Sequence, residues 1–421
     1  MSPAARSEGL EDSLPALLPL RNHVQHYAWG DPRFIPSLLG IDNPDEKPHA
    51  ELWMGAHPDL PSEVELADGR VPLDELIEQS PQEILGQRVS EQFEGRLPYL
   101  FKVLSAASPL SIQVHPSKQR AEEGFAREQT AGIPLSAPER NYRDRNHKPE
   151  LIVALTDFFA LRGFRPLEEI AEVIVGIPEI SNVGGTFEPT SDSLAALYEK
   201  LMTMPQEQID AALDPCVRRT EAAHAHKPYS RSDREYWLLQ CDRVSRHDGH
   251  HDRGLSSVLL LNLLKLSPGE ALSLDAGVLH AYLEGSGMEL MANSNNVIRG
   301  GLTPKHVDVP ELLRNVRFDA EPAERLIATR QSETAWLYET PFQEFALWRI
   351  EVGDSRSHTA ASRRSAEIIF VASANESVTV TSETESIELK QGEAVLARRD
   401  VEYRIDARSD AELFIASVPR P

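Results

Sequence analysis

The sequence is poor in the residues that mark several protein classes. Its 421 residues include two cysteines, Cys216 and Cys241, so a disulfide framework and a cysteine-based zinc site are both excluded. The longest apolar run, 258–266, is broken by Asn262 and Lys265, whereas a membrane-spanning helix needs about 20 apolar residues. The sequence has no basic region followed by an apolar stretch near its start, so no secretory signal is predicted. We therefore expect a soluble, cytoplasmic protein in which any metal is held by His, Glu, Asp or Gln.

Basic residues are also outnumbered by acidic ones. The chain has 43 lysines and arginines against 66 aspartates and glutamates, which gives a net charge of −23 at pH 7. A field of this sign repels phosphate backbones, so nucleic acid is not an expected partner. No membrane partner is expected either, and the chain is expected to be a monomer. A small anion can still bind where a few lysines and arginines reverse the potential locally.

The spacing of apolar residues divides the chain into segments. Residues 1–16 are predicted to be a disordered leader. In 17–165 and 255–325, short apolar runs bounded by turn residues predict strands that form one domain. In 166–254, apolar residues recur at three- and four-residue spacing behind Ser or Asp, which predicts a helical insert. In 326–421, apolar and polar residues alternate, as in an all-β sandwich or barrel.

The histidine-rich tract at 246–254, RHDGHHDRG, ends the predicted insert. A structural zinc site needs a closed tetrahedral set of ligands on a firm scaffold. This short, charged, glycine-containing tract offers no such scaffold, so we predict a solvated linker.

A weak internal repeat links the two strand-rich regions. The segment LKLSPGEALSLDAGVLHAYL (264–283) resembles IELKQGEAVLARRDVEYRID (387–406), with the Gly-Glu-Ala turns 123 residues apart. The same offset places His280 opposite Tyr403. A strand, a turn and a second strand ending in His is how jelly-roll barrels of the cupin type present a metal ligand. The first copy therefore keeps the ligand and the second has lost it.

Candidate metal ligands lie on or beside apolar strands. Gln113 and His115 are two residues apart, so their side chains project from one strand face. Buried polar groups need partners, so these two form either a hydrogen-bonded core pair or part of a site. Glu150 follows an extended Pro149, and with Lys148 it forms either a surface ion pair or a further part of that site.

His280 completes the candidate ligand set. Two imidazoles, a carboxylate and an amide oxygen suit zinc and leave a position open for substrate or water. A polar and basic set follows in the sequence, with Glu289, Arg299 and Lys305 around a Gly300-Gly301 turn. Arg299 could fork onto a phosphate and Lys305 could add a point charge, although lone loop cations are often solvent-exposed. Ser111 shares a strand face with Gln113.

Several longer motifs match a known family in order along the chain. They are YAWG (27–30), AELWMGAHP (50–58), LPYLFKVLSAASPLSIQVHP (97–116), NHKPE (146–150), FFALRGFRP (158–166), HAY (280–282) and NVIRGGLTPK (296–305). With these motifs the chain resembles the type I phosphomannose isomerases. The resemblance runs from about residue 22 to 318 and continues more loosely through the C-terminal region.

The resemblance implies a fold, a reaction and a set of site residues. The implied fold is mainly β, with two cupin-type jelly-roll barrels and an inserted helical domain. The implied reaction is the zinc-dependent interconversion of mannose 6-phosphate and fructose 6-phosphate through an enediol, with one zinc ion per chain. The implied zinc ligands are Gln113, His115, Glu150 and His280. The implied catalytic or substrate-binding residues are Arg299, Glu289, Lys148, Tyr282, Ser111, Lys305, Lys102, Trp29 and Glu51.

Some positions depart from the family pattern, and other functions stay open. The family usually has Asp-Asn before the Val of the arginine motif, whereas this chain has Asn295-Asn296. An acid–base role for that aspartate cannot transfer, because an amide does not titrate. We assign the carbon proton to Glu289 and ring opening to Lys148. The alternatives are an isomerase of another sugar phosphate on the same scaffold and a non-catalytic sugar-sensing cupin.

Overall fold

A computed structural model describes residues 14–66, 69–184, 187–360 and 365–419. The fold is mainly β, and its strands pair in antiparallel sheets. Most of the leader predicted at 1–16 lies outside the described residues. Its last three residues are described and are held in place, because the Arg398 guanidinium donates to the carbonyls of Leu14 and Pro15 at 2.7 Å each. Every described helix is too short or too polar to cross a bilayer.

The first part of the chain is rich in strands, as its short apolar runs predict. Its elements are β1 (Leu17–Arg21), β2 (His23–Gln25), α1 (Phe34–Leu39), β3 (Glu51–Gly55), β4 (Glu63–Leu66), β5 (Gly69–Pro72), α2 (Leu73–Gln79), α3 (Pro81–Leu85), α4 (Gln87–Gln92), β6 (Tyr99–Ala106), β7 (Ile112–Val114), α5 (Lys118–Thr130), β8 (Glu150–Ala154) and β9 (Phe158–Phe164). Helix α5 starts where the Ser117 hydroxyl accepts the Arg120 N–H, as an N-cap does.

Helices follow in the segment predicted to be an insert. They are α6 (Leu167–Gly176), α7 (Pro178–Gly184), α8 (Ser191–Thr203), α9 (Gln206–His226) and α10 (Arg234–Ser245). One more helix, α11 (Leu255–Leu260), lies beyond the predicted boundary at residue 254, where strands were expected. The apolar faces of these helices share one core with residues of the strand-rich part, including Val114, Ala281 and Leu302. The helices are therefore packed directly behind the strands that carry the candidate ligands.

Strands dominate again to the end of the described chain. The elements are β10 (Leu261–Leu266), β11 (Glu270–Leu274), β12 (His280–Ala292), β13 (Ile298–Gly301), α12 (Val309–Asn315), β14 (Leu326–Ile327), β15 (Thr329–Arg330), β16 (Ala335–Tyr338), β17 (Ala346–Val352), β18 (His358–Ala360), β19 (Glu367–Ala374), β20 (Val378–Ser382), β21 (Ser386–Leu389), β22 (Ala394–Ala397), β23 (Tyr403–Ala407) and β24 (Ala411–Ser417).

One long strand, β12, organises the eleven-stranded sheet that carries the candidate site. Its first half pairs with β9 and β7, and its second half pairs with β6 and β8. The change of partners falls near Gly285, which has φ 129°. A Cβ there would lie 2.6 Å from the Asp157 carbonyl, so only glycine fits. His280 in the first half of β12 and Glu289 in its second half both lie near Glu150.

A nine-stranded sheet is built from both ends of the chain. Its strand order is β15-β16-β17-β24-β19-β22-β1-β4-β5, so β1 lies between β22 and β4. Leu17 lies opposite Ala397, and Leu20 lies opposite Ala394. The N-terminal strand is therefore part of the sheet formed mainly by the C-terminal region. A four-stranded sheet, β18-β23-β20-β21, packs on the other face of this sheet.

The two large sheets bury a common core between them. Alternate residues of β6, such as Phe101 and Val103, point into this core and meet residues of the nine-stranded sheet. The rings of Phe101 and Phe370 pack edge to face with centroids 6.3 Å apart. The intervening Lys102 points to the opposite face of the same strand. Register along β6 therefore decides which face is apolar and which is charged.

Only part of the histidine-rich tract is the solvated linker that the sequence predicted. Residues 246–250 are exposed, whereas His251 is only 2% exposed. The His251 ring lies 2.6 Å from Asp242 Oδ1 through Nδ1, and its backbone N–H donates to Asp210 at 2.9 Å. The tract is therefore clamped between α9 and α10. The prediction failed for His251 because its carboxylate partners, Asp210 and Asp242, lie outside the tract on α9 and α10.

We predict that Phe370→Ala destabilises the protein by about 3–5 kcal/mol, because it opens a cavity between the two large sheets. Chemical denaturation followed by tryptophan fluorescence measures the change. The control Glu388→Ala, on an exposed position of β21, should cost less than about 0.5 kcal/mol. A Phe370→Ala cost below about 1 kcal/mol would contradict the packing described for this core.

Candidate active site

Three buried side chains meet where strands β7, β8 and β12 come together. His115 directly follows β7, while Glu150 and His280 begin β8 and β12. His115 Nε2 lies 3.2 Å from Glu150 Oε1, and His280 Nε2 lies 3.4 Å from Glu150 Oε2. One candidate ligand atom from each of the three lies within 4.8 Å of the others. We call His115, Glu150 and His280 the metal triad.

Hydrogen bonds to the backbone fix the orientation of both imidazoles. The Nδ1–H of His115 donates to the Asn296 carbonyl at 2.8 Å, and that of His280 donates to the Val278 carbonyl at 2.9 Å. Each Nε2 is then left with its lone pair directed at Glu150. Metal-binding histidines use this arrangement, in which one nitrogen is anchored and the other is free to coordinate.

The ligand atoms fit a metal on their own chemistry. Among the described residues, His115 Nε2, Glu150 Oε2 and His280 Nε2 are buried side-chain atoms without a hydrogen-bond partner. Burial lowers the pKa of His115 to about 4, so the ring is neutral at pH 7 and can donate its lone pair. Although burial opposes the charge on Glu150, the Lys148 ammonium holds its pKa well below its usual range. Two neutral imidazoles and a carboxylate suit zinc.

Gln113 is the fourth candidate ligand, and the strand register places it beside the metal triad. On β7 it lies opposite His280 of β12 on one side and opposite Arg299 of β13 on the other. Residues directly opposite in antiparallel strands have Cβ atoms about 4.5–5.5 Å apart. Strand β7 therefore lies between His280 of the metal triad and Arg299.

A row of charged residues lines the pocket face of the same sheet. The Lys102 ammonium lies 2.5 Å from Glu289 Oε2 and 3.1 Å from Glu51 Oε1. Lys102 on β6 is directly opposite Glu289 on β12, and all three side chains are buried. The Lys148 ammonium is 2.8 Å from Glu150 Oε1. Three carboxyl groups and two ammonium groups therefore meet on this face of the sheet.

The protonation of Glu289 and Tyr282 follows from their burial. Burial raises the pKa of Glu289, and the nearby carboxylates of Glu150 and Glu51 raise it further against the opposing charge of Lys102. Burial and the charge of Glu289 also raise the pKa of the Tyr282 phenol well above its usual value. Tyr282 therefore keeps its proton and can act only as a hydrogen-bond donor or acceptor near neutral pH.

Three cations lie on the side of the pocket beyond Gln113. Burial and the charge of Arg143 lower the pKa of Arg299. Arg143 and Lys305 are exposed residues. Partial burial and the charges of Arg299 and Arg143 lower the pKa of Lys305. Within the described residues no carboxylate pairs with Arg299 or Lys305, and in a protein of net charge −23 this is an unusual concentration of positive charge. We call Arg143, Arg299 and Lys305 the cation group, and such a group fits a phosphate.

The remaining predicted residues lie at the edges of the pocket. Ser111 immediately precedes β7 and is half-buried. Trp29 packs against the apolar cluster that contains Tyr282, and Tyr27 stacks on it with ring centroids 5.7 Å apart. Tyr27 is 43% exposed. The two stacked rings form an aromatic surface that suits the apolar face of a small organic ligand.

The sequence did not single out Asn296, although it is fully buried and connects the site. Its carbonyl holds His115, and its Oδ1 accepts the Arg143 N–H at 2.7 Å. Its Nδ2 donates to the carbonyls of Asp144 and Asn146, at 3.0 and 2.8 Å. The segment that leads to Lys148 and Glu150 is thereby fixed to the segment that leads to Arg299. No spacing pattern could have revealed these contacts, because the two segments are about 150 residues apart.

Two further residues near the site were missed. Arg143 has no motif of its own, and only the fold brings it to Arg299. His57 lies within the AELWMGAHP motif, but its role was not recognised; it is 3% exposed and packs edge-on against Trp53. Burial lowers the pKa of His57, and its Nδ1 accepts the Asp59 N–H at 3.2 Å. Asp59 also accepts a hydrogen bond from Asn295, at 2.9 Å.

Comparisons with known proteins agree with this geometry. The profile "Phosphomannose isomerase type I, catalytic domain" matches residues 17–167. The chain is 42% identical over 379 residues to mannose-6-phosphate isomerase of Escherichia coli K12, which covers 89% of this chain and 93% of that protein. The chain belongs to the type I phosphomannose isomerase family. The human member is 34% identical over 433 residues, with coverage of 96% and 98%.

Solved structures of phosphomannose isomerases share the fold. One from Salmonella typhimurium, bound to fructose 6-phosphate and zinc, matches with a TM-score of 0.84 and 36% identity. The match covers 96% of this chain and 100% of that one. The zinc in that phosphomannose isomerase agrees with the chemistry of the metal triad.

We predict that His115→Ala abolishes stoichiometric zinc binding. Loss of an outer-sphere partner of a ligand costs about 10- to 100-fold in metal affinity, and loss of a ligand should cost more. Zinc per chain, measured by elemental analysis after dialysis, should fall from about one to near zero. The matched control is His247→Ala, an exposed histidine of the tract, which should retain zinc. Retention by His115→Ala would contradict the assignment.

Proposed function

We propose that this chain interconverts mannose 6-phosphate and fructose 6-phosphate. The observation that carries the proposal is the position of Gln113, opposite both His280 and Arg299. Strand β7 therefore lies between His280 of the metal triad and Arg299 of the cation group. This arrangement supports a substrate with a reacting carbonyl at one end and a phosphate at the other. The names and the bound ligand of the relatives support the same reaction.

We propose that each chain holds one zinc ion, through the metal triad and Gln113. The support is the set of buried ligand atoms without hydrogen-bond partners. When bound, zinc supplies a Lewis acid that stabilises negative charge on substrate oxygens. The protein's own contribution is to hold the imidazoles through Asn296 and Val278 and to keep Glu150 ionised beside Lys148.

The cation group is proposed to hold the phosphate, together with Ser111. Arg299 can form two parallel hydrogen bonds with phosphate oxygens, and Lys305 adds a mobile point charge. Trp29, Glu51 and Lys102 are proposed to form the pocket wall around the sugar. Binding the remote phosphate then positions the reacting carbons against the charged face of the sheet.

The isomerisation needs a proton to leave carbon 2 and return at carbon 1 through an enediol. We propose that Glu289 carries this proton, since burial raises its pKa toward the working pH and Lys102 fixes its orientation. Lys148 is proposed to assist ring opening, because its ammonium already lies against Glu150 at the pocket. Tyr282, which stays protonated, is proposed to hydrogen-bond the sugar.

We also propose that the sheets form two cupin-type jelly-roll barrels, with the helices α6–α10 as an inserted domain. The internal repeat supports this. In the first copy Glu150 lies opposite Leu274. In the second copy Glu367 lies opposite Ala397, which is 123 residues beyond Leu274. In the second copy, the Tyr403 hydroxyl donates to Glu367 at 2.7 Å. A tyrosine thus contacts the carboxylate at the place where His280 contacts Glu150.

Two other functions make different predictions. An isomerase of another sugar phosphate would use the same triad and cation group, and a panel of sugar phosphates distinguishes it. A non-catalytic sugar-sensing cupin would not need a metal, whereas this chain has all four candidate ligands. The predicted monomer and the predicted cytoplasmic location stay predictions.

We predict that the purified protein forms fructose 6-phosphate from mannose 6-phosphate and that a chelator abolishes the activity. A coupled assay of fructose 6-phosphate measures both, and added zinc should restore turnover. Turnover that survives complete removal of the metal would contradict the proposed role of the triad. No turnover at one zinc per chain would favour the non-catalytic alternative.

We predict that Glu289→Gln lowers kcat by about 10²- to 10⁴-fold, because an amide cannot accept the carbon proton. The control is Glu51→Gln, which removes the other carboxylate on Lys102 and should mainly raise KM. Steady-state kinetics separate the two effects. If both variants lose activity to a similar extent, Glu289 acts only as a charge partner of Lys102 and the proton assignment is wrong.

A further inference from the structure

The backbone between Arg299 and Lys305 adopts an unfavourable conformation that other contacts must stabilise. It leaves β13 at Gly301, with φ 114°, and continues through Leu302, with φ 55°. A non-glycine residue in the left-handed region costs about 1–2 kcal/mol. Residues 299 and 305 both belong to the cation group, so this turn sets the distance and direction between two of its three charges.

The carboxylate of Asp252 supports this turn from the end of the histidine-rich tract. Its Oδ1 accepts the N–H of Leu302 at 2.8 Å and that of Gly254 at 2.7 Å. Its Oδ2 accepts the N–H of Thr303 at 3.2 Å. Hydrogen bonds to a charged acceptor are about twice as strong as neutral ones. One side chain therefore holds the backbone on both sides of the close contact between the tract and the turn.

The close contact itself requires two glycines. A Cβ on Gly254 would lie 2.7 Å from Gly301 Cα, and a Cβ on Gly301 would lie 2.5 Å from Gly254 Cα. Neither position has room for a side chain. The tract is thus pressed directly against the backbone that carries the cation group.

The tract can act as a fixed support because it is held on its other side. Asp242 of α10 binds His251 Nδ1 at 2.6 Å and Arg246 at 2.8 Å. Gln206 of α9 donates to the His251 carbonyl at 2.8 Å. The Arg253 guanidinium donates to the Met202 carbonyl at the end of α8. Three helices therefore fix the position of Asp252.

We propose that Asp252 is a positioning residue for phosphate binding, through which the helical segment sets the places of Arg299 and Lys305. The inference rests on the proposed function for its substrate, but the contacts that carry it concern the turn alone. It assigns the tract a role in binding, although none of its side chains needs to touch the substrate.

If Asp252 acted only through its charge, its removal would change phosphate affinity in the opposite direction. The charge of Asp252 opposes that of the cation group, so its removal would strengthen phosphate binding if charge were all that mattered. Positioning predicts weaker binding. Asp252→Ala removes both acceptor oxygens and with them all three hydrogen bonds. Asp252→Asn keeps one oxygen but turns an NH₂ toward a backbone N–H, so its loss should be smaller than that of the alanine variant.

The experiment measures phosphate affinity and catalysis on the zinc-loaded enzyme. Calorimetry gives the Kd of inorganic phosphate, and the coupled assay gives KM and kcat for mannose 6-phosphate. For Asp252→Ala we expect Kd and KM to rise together by about tenfold, the equivalent of about 1.4 kcal/mol. For Asp252→Asn we expect about threefold, with zinc content unchanged and kcat lowered less than KM is raised in both variants.

A second pair of variants tests the same turn without altering charge. Gly254→Ala should weaken phosphate binding, because its Cβ pushes on Gly301, while the matched control Gly176→Ala meets no atom within 4 Å and should not. Unchanged or tighter phosphate binding in both Asp252 variants overturns the proposal, even if thermal stability falls. If phosphate affinity drops as expected but wild type shows no turnover, the proposed function fails and the positioning role stands.

Discussion

The buried carboxylate of Glu150 is the constraint on which the site depends. An ionised carboxylate without partners is expensive to bury, and removal of one partner of a buried charge pair costs about 3–5 kcal/mol. Its charged partner is Lys148 on its own segment, while His115 after β7 and His280 at the start of β12 direct their Nε2 atoms at it. Three strands must therefore keep their register for these groups to meet at Glu150. The register shift of β12 before Gly285 and the cross-link through Asn296 both contribute to this arrangement.

The same strands serve stability and chemistry on opposite faces. On β6, Phe101 and Val103 face the core between the large sheets, and Lys102 faces the pocket. On β12, Leu290 joins that core while Glu289 pairs with Lys102. A shift of one residue in either strand would exchange the two faces. The apolar core thus fixes the geometry of the charged face.

The sequence predicted those parts that have a local pattern. The two-residue spacing of Gln113 and His115 predicted that both side chains project from one strand face, and the repeat aligned His280 with Tyr403. It could not predict Asn296, Arg143 or the contacts of the histidine-rich tract. Their partners lie on other elements, often more than 100 residues away, and each contact is a single hydrogen bond or charge. Such contacts become visible only when the fold brings distant segments together.

The place of β1 has a consequence for how the chain reaches its fold. Leu17 pairs with Ala397, so the first strand waits for a partner that is synthesised near the end of the chain. Until β22 arrives, one edge of β1 has unpaired backbone groups and its apolar side chains lack half of their core. Pairing over such a separation is slow, because the loop entropy is lost before the contacts form. Completion of the nine-stranded sheet is therefore expected to be a late step, which cannot precede the synthesis of β22.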